Sequence, residues 1–157
     1  HTTAQKVIQF AQQQLAKVGI KAQIQALEAG QRVERVESAQ DPATAPVRMY
    51  YTGWSSSTGE ADWALRPLLA SESWPPKMYN MSYYKNEKVD ANIAKALNTT
   101  DKAEKTRLYT EAQELIWKDA PWVFLSTERL ISVRARNLSG FHVMPDGSYE
   151  FNELELK

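Results

Sequence analysis

The 157-residue sequence contains no cysteine and only two histidines, His1 and His142. Without cysteine the chain has neither a disulfide nor a thiol nucleophile, which fits an oxidising compartment without requiring one. Neither histidine stands at a metal-ligand spacing from another histidine or a carboxylate, so no zinc site is predicted. The six glycines are scattered singly, and none belongs to a G-x-S-x-G or a G-x-x-x-x-G-K motif. The sequence therefore predicts a protein that is not an enzyme and that holds no metal and no cofactor.

An excess of charge of either sign is absent as well, because 19 basic residues balance 19 acidic ones. This balance gives no reason to expect nucleic acid or an anionic membrane surface as a partner. The longest apolar runs are far too short to cross a bilayer, so no membrane insertion is expected. The sequence shows no signal peptide and starts at His1 rather than methionine. This start predicts a processed chain or a segment of a longer protein.

What the sequence does contain is an aromatic and hydroxyl-rich stretch from Val47 to Trp63. Its first part, Val47 to Thr52, is apolar and aromatic and predicts a buried strand. Four hydroxyl residues follow Trp54, namely Ser55, Ser56, Ser57 and Thr58. Ser57 and Glu60 have the spacing of a capping box, which predicts a helix that begins near Ser57. A polar loop between a strand and a helix is where α/β proteins usually bind small polar ligands.

The rest of the chain alternates helical and extended patterns, which predicts an α/β fold. Helices are predicted where apolar residues recur at helical spacing, at Thr2–Val18, Gly30–Ser38, Glu60–Leu69, Asn86–Leu97 and Asp101–Asp119. Strands are predicted at Ile20–Ala26, Val47–Thr52, Trp122–Leu125 and Leu130–Val133, before a hairpin across Pro145-Asp146-Gly147. The segment between Ile20 and Thr52 should form a β-α-β unit with a right-handed crossover. Ala70–Tyr84 is predicted to be an irregular loop packed by aromatic residues.

Two interpretations of the hydroxyl-rich loop remain open at this level. Serine and threonine are common in turns and at helix caps, so the loop also fits a structural or interaction domain without a small-molecule site. Four hydroxyls beside Trp54 nevertheless supply more donors and acceptors than one cap needs, and they suit a zwitterionic or amide-rich molecule. Glu60 and Asp62 fit the first turn of a helix, where acids complement the helix dipole. The rival interpretation makes them the acid/base pair of a hydrolase fragment.

The order of these features resembles one family of known proteins. A helix leads into AKVGIKAQIQ (Ala16–Gln25), and YTGWSSSTGEADW follows. A pair of helices then ends in IWKDAPWVFL (Ile116–Leu125), and the chain closes with GFHVMPDGSYEFNELELK. This order is similar to that of the C-terminal third of the periplasmic solute-binding proteins for dipeptides, oligopeptides, nickel and glutathione, the receptors of bacterial ABC importers. The loop sequence GWSSSTGEADW most resembles that of the glutathione-binding members.

The resemblance implies a fold, a division into domains and a set of partners. The fold would be a partial lobe of the type II periplasmic-binding-protein kind, with a mixed sheet flanked by helices. Residues 1–126 would belong to the second lobe, and residues 127–157 would be the terminal strand segment that crosses back to the first. The implied partners are a small peptide ligand, with glutathione favoured, and the membrane permease of an ABC importer. The implied location is the periplasm, after removal of a signal peptide.

The resemblance also implies a set of ligand-binding residues and places one departure among them. The set is Trp54, for packing or stacking, and the hydroxyls and backbone N–H groups of Ser55, Ser56, Ser57 and Thr58. In dipeptide and oligopeptide binders, an aspartate three residues after this tryptophan pairs with the ligand's α-amine, and here that position is Ser57. Glutathione carries its amine and α-carboxylate together at one end, and hydroxyls bind such a zwitterion without adding net charge. The expected ligand is therefore glutathione or a similar small peptide, the alternative being a di- or oligopeptide or haem receptor of the same family.

Two expectations concern the chain by itself. Half of a two-lobed cleft leaves one side of the ligand in water, so the isolated chain should bind glutathione weakly or not detectably. In the terminal segment, the apolar residues alternate as in a sheet that packs on another element: Phe141, Val143, Tyr149, Phe151 and Leu154. Exposed apolar strands pair with or cover other surfaces. We therefore expect the segment to self-associate with a second copy of the chain or to fold back on its own lobe.

Overall fold

A computed structural model describes residues 2–127, 129–144 and 146–157 of the chain. The chain forms two compact units, His1–Gly53 and Trp54–Lys157. The helices are α1 Thr2–Lys17, α2 Ala29–Arg32, α3 Ala61–Leu69, α4 Glu87–Leu97 and α5 Lys102–Asp119. The strands are short: β1 Leu138–Ser139, β2 His142–Val143, β3 Tyr149–Glu150 and β4 Glu155–Leu156. None of the described helices has the length and apolarity needed to cross a membrane.

The helices of the first unit confirm two predictions. α1 ends one residue before the predicted Val18, and Gly19 follows it in the left-handed conformation at φ +83°. The amide of Ile20 donates to the Leu15 carbonyl at 3.0 Å and that of Gly19 to Ala16 at 3.1 Å, the pattern in which a glycine ends a helix. α2 continues into a π-helical turn at Val33–Glu37, so the two together match the predicted short helix.

The strands predicted at Ile20–Ala26 and Val47–Thr52 are wrong for the structure as described. Both segments are extended, but neither pairs with any described residue, so the β-α-β unit and its parallel pair are not formed. The second segment is not buried either, since Met49 and Tyr51 are 59% and 40% exposed. An apolar, β-branched or aromatic run favours extended backbone, but a strand also needs a neighbour to complete its ladder. The first segment is held instead by Gln12, whose Nε2 donates to the Ala22 carbonyl at 2.7 Å.

The core of the second unit is built by α3, α4 and α5. Its buried residues are Leu68, Leu69, Ala70, Val89, Ile93, Ala96, Leu108, Tyr109, Ala112 and Ile116. Val89, Ile93 and Leu97 recur at helical spacing along α4, and Val89 and Ile93 are buried. Leu97 is 48% exposed, however, and Ala96 is the residue that is buried at this end of the helix. The apolar faces of α4 and α5 therefore pack against each other, and α3 packs on α4 and adds its buried residues to the same core.

The helices α4 and α5 each begin after a polar residue whose side chain caps the helix N-terminus. Asn86 Oδ1 accepts from the amide of Val89 at 3.3 Å, and Asp101 Oδ1 accepts from that of Glu104 at 2.9 Å. Such caps satisfy amides that have no partner inside the helix. Asp101 and Glu104 have the spacing of a capping box, but the Glu104 carboxylate pairs with Arg107 at 2.7 Å instead of the Asp101 amide. Beyond α5, the strands predicted at Trp122–Leu125 and Leu130–Val133 form no ladder with any described residue.

The terminal segment forms two nested antiparallel pairs. The predicted hairpin is confirmed: His142 pairs with Glu150 and Val143 with Tyr149, although Pro145 of its turn lies outside the described residues. The outer pairing of Leu138 with Leu156 has no counterpart in the sequence patterns. These two-stranded pairs are the only sheets among the described residues, so a mixed sheet is not formed there. The division into residues 1–126 and 127–157, which concerns a whole receptor, stays a prediction.

One glycine of the terminal segment is required by close backbone approach. Gly140 has φ +68°, and a Cβ atom built there would overlap the backbone carbonyl of Glu153. A side chain at this position would push the end of β1 away from the backbone that leads into β4. Inside the hairpin, the rings of Phe141, Tyr149 and Phe151 pack together at centroid distances of 5.5 to 6.1 Å. The segment is therefore held by its own aromatic contacts as well as by its ladders.

Candidate functional site

The hydroxyl-rich loop, Trp54–Thr58, lies directly before α3 and is organised by its own side chains. Ser56 Oγ donates to the Glu60 carbonyl at 3.0 Å, and Thr58 Oγ1 accepts from the Glu60 amide at 3.2 Å. Gly59, at φ +69°, closes the turn, and its amide donates to Ser56 at 3.2 Å. The prediction of a capping box at Ser57 is wrong, because the helix begins at Ala61 with Glu60 as its N-cap. Serine and threonine hydroxyls can hydrogen-bond backbone groups two to four residues later in the chain. Here these hydrogen bonds form a turn, and the helix begins after it.

The loop leaves several hydrogen-bonding groups free. The Ser57 hydroxyl is exposed and has no partner among the described residues, unlike those of Ser55, Ser56 and Thr58. The backbone N–H groups of residues 55–58 also donate to no described residue. The structure therefore brings the five predicted site residues together as one exposed surface. Ser57 presents its side chain there, and the four consecutive amides are available as donors.

Trp54 borders this surface and packs into a cluster of aromatic rings. Its Nε1 donates to the Trp63 carbonyl at 2.9 Å. Its ring centroid lies 6.1 Å from that of Trp63 and 5.3 Å from that of Tyr79. Trp54 keeps 39% of its surface exposed, so it packs on the cluster and still presents an aromatic surface to solvent. Trp63 and Tyr79 were not predicted as site residues, because single aromatic residues far apart in sequence carry no sign of their contact.

Tyr79 belongs to the irregular segment Ala70–Tyr84, which has the ordered, aromatic packing that its sequence predicts. Trp74 packs edge-on against Tyr83 at a centroid distance of 5.5 Å, and its Nε1 donates to the Tyr84 carbonyl at 3.0 Å. Asn80 is wholly buried and hydrogen-bonds the backbone on both sides of it. A buried amide whose donors and acceptors are all used holds in one conformation a segment whose regular structure is limited to a 3-10 turn at Ser71–Ser73. This segment therefore provides a fixed support for the aromatic cluster.

The two acids at the start of α3 differ in their partners. Asp62 pairs with Arg66 one helical turn later, with Arg66 Nε 2.9 Å from Oδ1 and Nη2 2.8 Å from Oδ2. This hydrogen-bonded pair raises the pKa of Arg66 above its ordinary value. Asp62 thus acts within the helix, as the dipole interpretation expects. Glu60 binds the loop through its backbone, while its carboxylate has no partner among the described residues.

A distant part of the chain reaches the loop at Ser55. Ser55 Oγ donates to the backbone carbonyl of Asp146 at 3.3 Å, although the two residues are 91 positions apart. Asp146 Oδ1 in turn accepts from the Ser148 amide at 3.0 Å and from its hydroxyl at 2.7 Å. These hydrogen bonds lower the pKa of Asp146, so its carboxylate is ionised near neutral pH. The sequence marks Pro145-Asp146-Gly147 as a turn but gives no indication of its position beside the loop.

The arrangement as a whole suits the binding of a small polar molecule. It offers amide and hydroxyl donors and an exposed aromatic ring, and the backbone of Asp146 contacts it at Ser55. Binding sites for small molecules fix the orientation of a ligand by a few placed polar groups. Within the described ranges, no three histidine, aspartate or glutamate side chains are placed to share a metal ion.

Comparison with known proteins gives the chain a set of relatives. No family model matches it. It is 55% identical over 157 residues to the glutathione-binding protein GsiB of Escherichia coli K12, which covers 100% of this chain and 30% of that protein. It is 56% identical over 156 residues to GsiB of Pectobacterium atrosepticum, covering 99% of this chain and 30% of that protein. The chain thus spans about 30% of the length of the curated relatives that it matches.

Solved structures show the same fold. The clavulanic acid biosynthesis oligopeptide binding protein 2 matches 96% of this chain with 28% of its own, at a TM-score of 0.80 and 20% identity. HbpA2 from Haemophilus parasuis matches 97% of this chain with 28% of its own, at a TM-score of 0.71 and 22% identity. The curated relatives confirm the family resemblance identified from sequence motifs, and the solved structures show that the chain has a partial α/β fold.

Proposed function

From the homology of this chain, over its whole length, to one segment of the solute-binding proteins that bind glutathione, we propose that it is part of a periplasmic receptor. The receptor captures glutathione or a similar small peptide and presents it to the membrane permease of an ABC importer. Residues Trp54, Ser55, Ser56, Ser57 and Thr58 contact the ligand, and the protein is a receptor rather than an enzyme.

The observation that carries the proposal is the state of the loop at Ser57. This is the position at which dipeptide and oligopeptide binders are expected to hold an aspartate for the ligand's α-amine. Here the Ser57 hydroxyl is exposed and unpaired among the described residues, beside four amide donors that also lack partners there. Amides and hydroxyls together bind the carboxylate and amine of a zwitterionic end without adding net charge. Glutathione presents such an end, whereas an ordinary dipeptide presents its amine alone.

The decisive experiment replaces Ser57 with aspartate in the receptor that carries this segment. Calorimetry would measure the binding of glutathione and of Ala-Ala to both forms. We expect the unchanged receptor to prefer glutathione, and Ser57→Asp to weaken glutathione and to strengthen Ala-Ala. One charged hydrogen bond gained or lost corresponds to about 1.5–3 kcal/mol, roughly a ten- to hundredfold change in affinity.

A matched control adds the same charge elsewhere. Ser126 is exposed, lies outside the loop and has no side-chain partner among the described residues, so Ser126→Asp should leave both affinities unchanged. Tighter binding of Ala-Ala than of glutathione by the unchanged receptor would refute the proposed ligand. Equal effects of Ser57→Asp and Ser126→Asp would show that the loop is not the site.

A second measurement separates a binding loop from a purely structural one. Hydrogen exchange of the amides between Gly53 and Gly59 should slow when glutathione is added, because ligand atoms would then cover donors that face water. A structural turn predicts no change in these amides. A peptidase assay on the same protein would report the hydrolase alternative, in which Glu60 and Asp62 act on the peptide.

A further inference from the structure

The strongest unassigned feature near the loop is the turn of the terminal hairpin, residues 146–148. Ser55 Oγ donates to the Asp146 carbonyl at 3.3 Å, so this turn lies against the candidate site. The contact joins the predicted ligand-binding loop to the terminal strand segment, two regions that lie far apart in the sequence. The backbone of this turn therefore contacts the candidate site at Ser55.

The turn carries the Asp146 carboxylate, which is held in one orientation. Asp146 Oδ1 accepts two hydrogen bonds from Ser148, at 3.0 and 2.7 Å, while Oδ2 has no partner among the described residues. No lysine or arginine in the described ranges forms an ion pair with Asp146. The turn thus presents a fixed negative charge with one acceptor oxygen still available.

The other carboxylates near the loop are less suited to bind a cation. Asp62 is paired with Arg66 through two hydrogen-bonded oxygens. Glu60 has a free carboxylate, but only its backbone is fixed by the loop. Ordering a long, free side chain on binding costs conformational entropy that an already fixed carboxylate has lost during folding. Of the two available acids, the structure therefore favours Asp146.

We infer that Asp146 is a specificity-determining residue of the ligand site, where it binds the ammonium group of a small zwitterionic peptide. This inference rests on the proposed function. Asp146 would supply the counter-ion that Ser57 does not. The ligand's ammonium group would contact the Asp146 carboxylate at the Ser55 end of the loop, and the ligand's own α-carboxylate would contact the loop amides. A charged hydrogen bond of this kind is about twice as strong as a neutral one.

The test removes the charge of Asp146 and leaves its turn intact. Asp146→Asn keeps an Oδ1 acceptor for the Ser148 amide, so the hairpin should fold as before, as a melting curve would verify. Binding would be measured by calorimetry with the receptor that carries this segment, using glutathione and N-acetylglutathione, in which the ammonium is replaced by a neutral amide. We expect Asp146→Asn to lose roughly ten- to a hundredfold in affinity for glutathione and to leave N-acetylglutathione unchanged.

Glu60→Gln is the matched control, because it neutralises the other unpaired carboxylate. It should change neither affinity more than about threefold. A selective loss in Glu60→Gln, an equal loss of both probes in Asp146→Asn, or no loss at all would overturn the assignment. If N-acetylglutathione binds too weakly to measure, Asp146→Glu should regain affinity that Asp146→Asn lacks, and no recovery would refute the inference.

The same experiment separates this inference from the proposed function. A receptor that binds glutathione equally well with and without the Asp146 charge keeps its function and loses only this residue's role. A receptor that binds neither glutathione nor any small peptide contradicts the proposed function, and the inference falls with it.

Discussion

Replacing Asn80 with alanine should be among the most destabilising single changes in the second unit. Asn80 is 0% exposed, and its amide makes four hydrogen bonds. Nδ2 donates to the carbonyls of Ala70 and Tyr84, each at 2.9 Å. Oδ1 accepts from the Ser82 hydroxyl at 2.9 Å and from the Tyr84 amide at 3.1 Å. The side chain therefore joins the end of α3 to the end of the irregular segment.

The cost follows from what each partner keeps after the change. The Ala70 carbonyl still accepts from the Ser73 amide at 3.0 Å, and the Tyr84 carbonyl still accepts from Trp74 Nε1 at 3.0 Å. The Tyr84 amide, in contrast, loses its only described acceptor. An orphaned amide costs about 1–3 kcal/mol and each other lost bond about 0.5–1.5 kcal/mol net, and such losses within one network are not additive. We expect Asn80→Ala to lower the free energy of unfolding by about 3–5 kcal/mol.

Urea unfolding followed by circular dichroism and tryptophan fluorescence would measure this change. Because the segment also supports Tyr79, which packs on Trp54, the fluorescence of the native state should shift as well. Asn98→Ala is the control, since Asn98 Nδ2 donates to the Ala94 carbonyl at an exposed helix end, and its loss should cost about 1 kcal/mol at most. Equal destabilisation by the two alanine variants would refute the network argument.

Two further predictions concern acid stability and association. Hydrogen bonds from Tyr84 and Asn86 lower the pKa of Asp119 in the folded protein. Their contribution to stability is complete above the ordinary aspartate pKa of about 3.9, and it is lost as the pH falls through the lowered pKa of the folded state. The melting temperature of Tyr84→Phe should therefore approach the parent's below about pH 4, and a constant gap down to pH 3 would contradict this. Ile131 and Val133 are 83% and 94% exposed, so light scattering should show that the isolated chain self-associates. A chain that ends at Arg129 should not self-associate. A full chain that stays monomeric at high concentration would contradict this prediction.

The helices are the part of this protein that the sequence determined by itself. Helical hydrogen bonds join residues four positions apart, so apolar spacing and caps such as Asn86 and Asp101 suffice to place α4 and α5. Gly19 marked the end of α1 for the same local reason. The terminal hairpin was also local, because a turn between two short alternating runs brings its own strands together. The family resemblance came from motifs that occupy consecutive residues.

The pairings between distant residues were decided by the tertiary structure alone. The segment Val47–Thr52 has strand-like composition, but a ladder depends on a partner that no local pattern specifies, and no described residue provides one. Whether Leu97 or Ala96 is buried depended on how α4 packs against its neighbours, and Ala96 is the buried residue. At the candidate site, consecutive hydroxyls identified the loop. Its contact with the backbone of Asp146 joins residues 91 positions apart, and only folding could bring these two residues together.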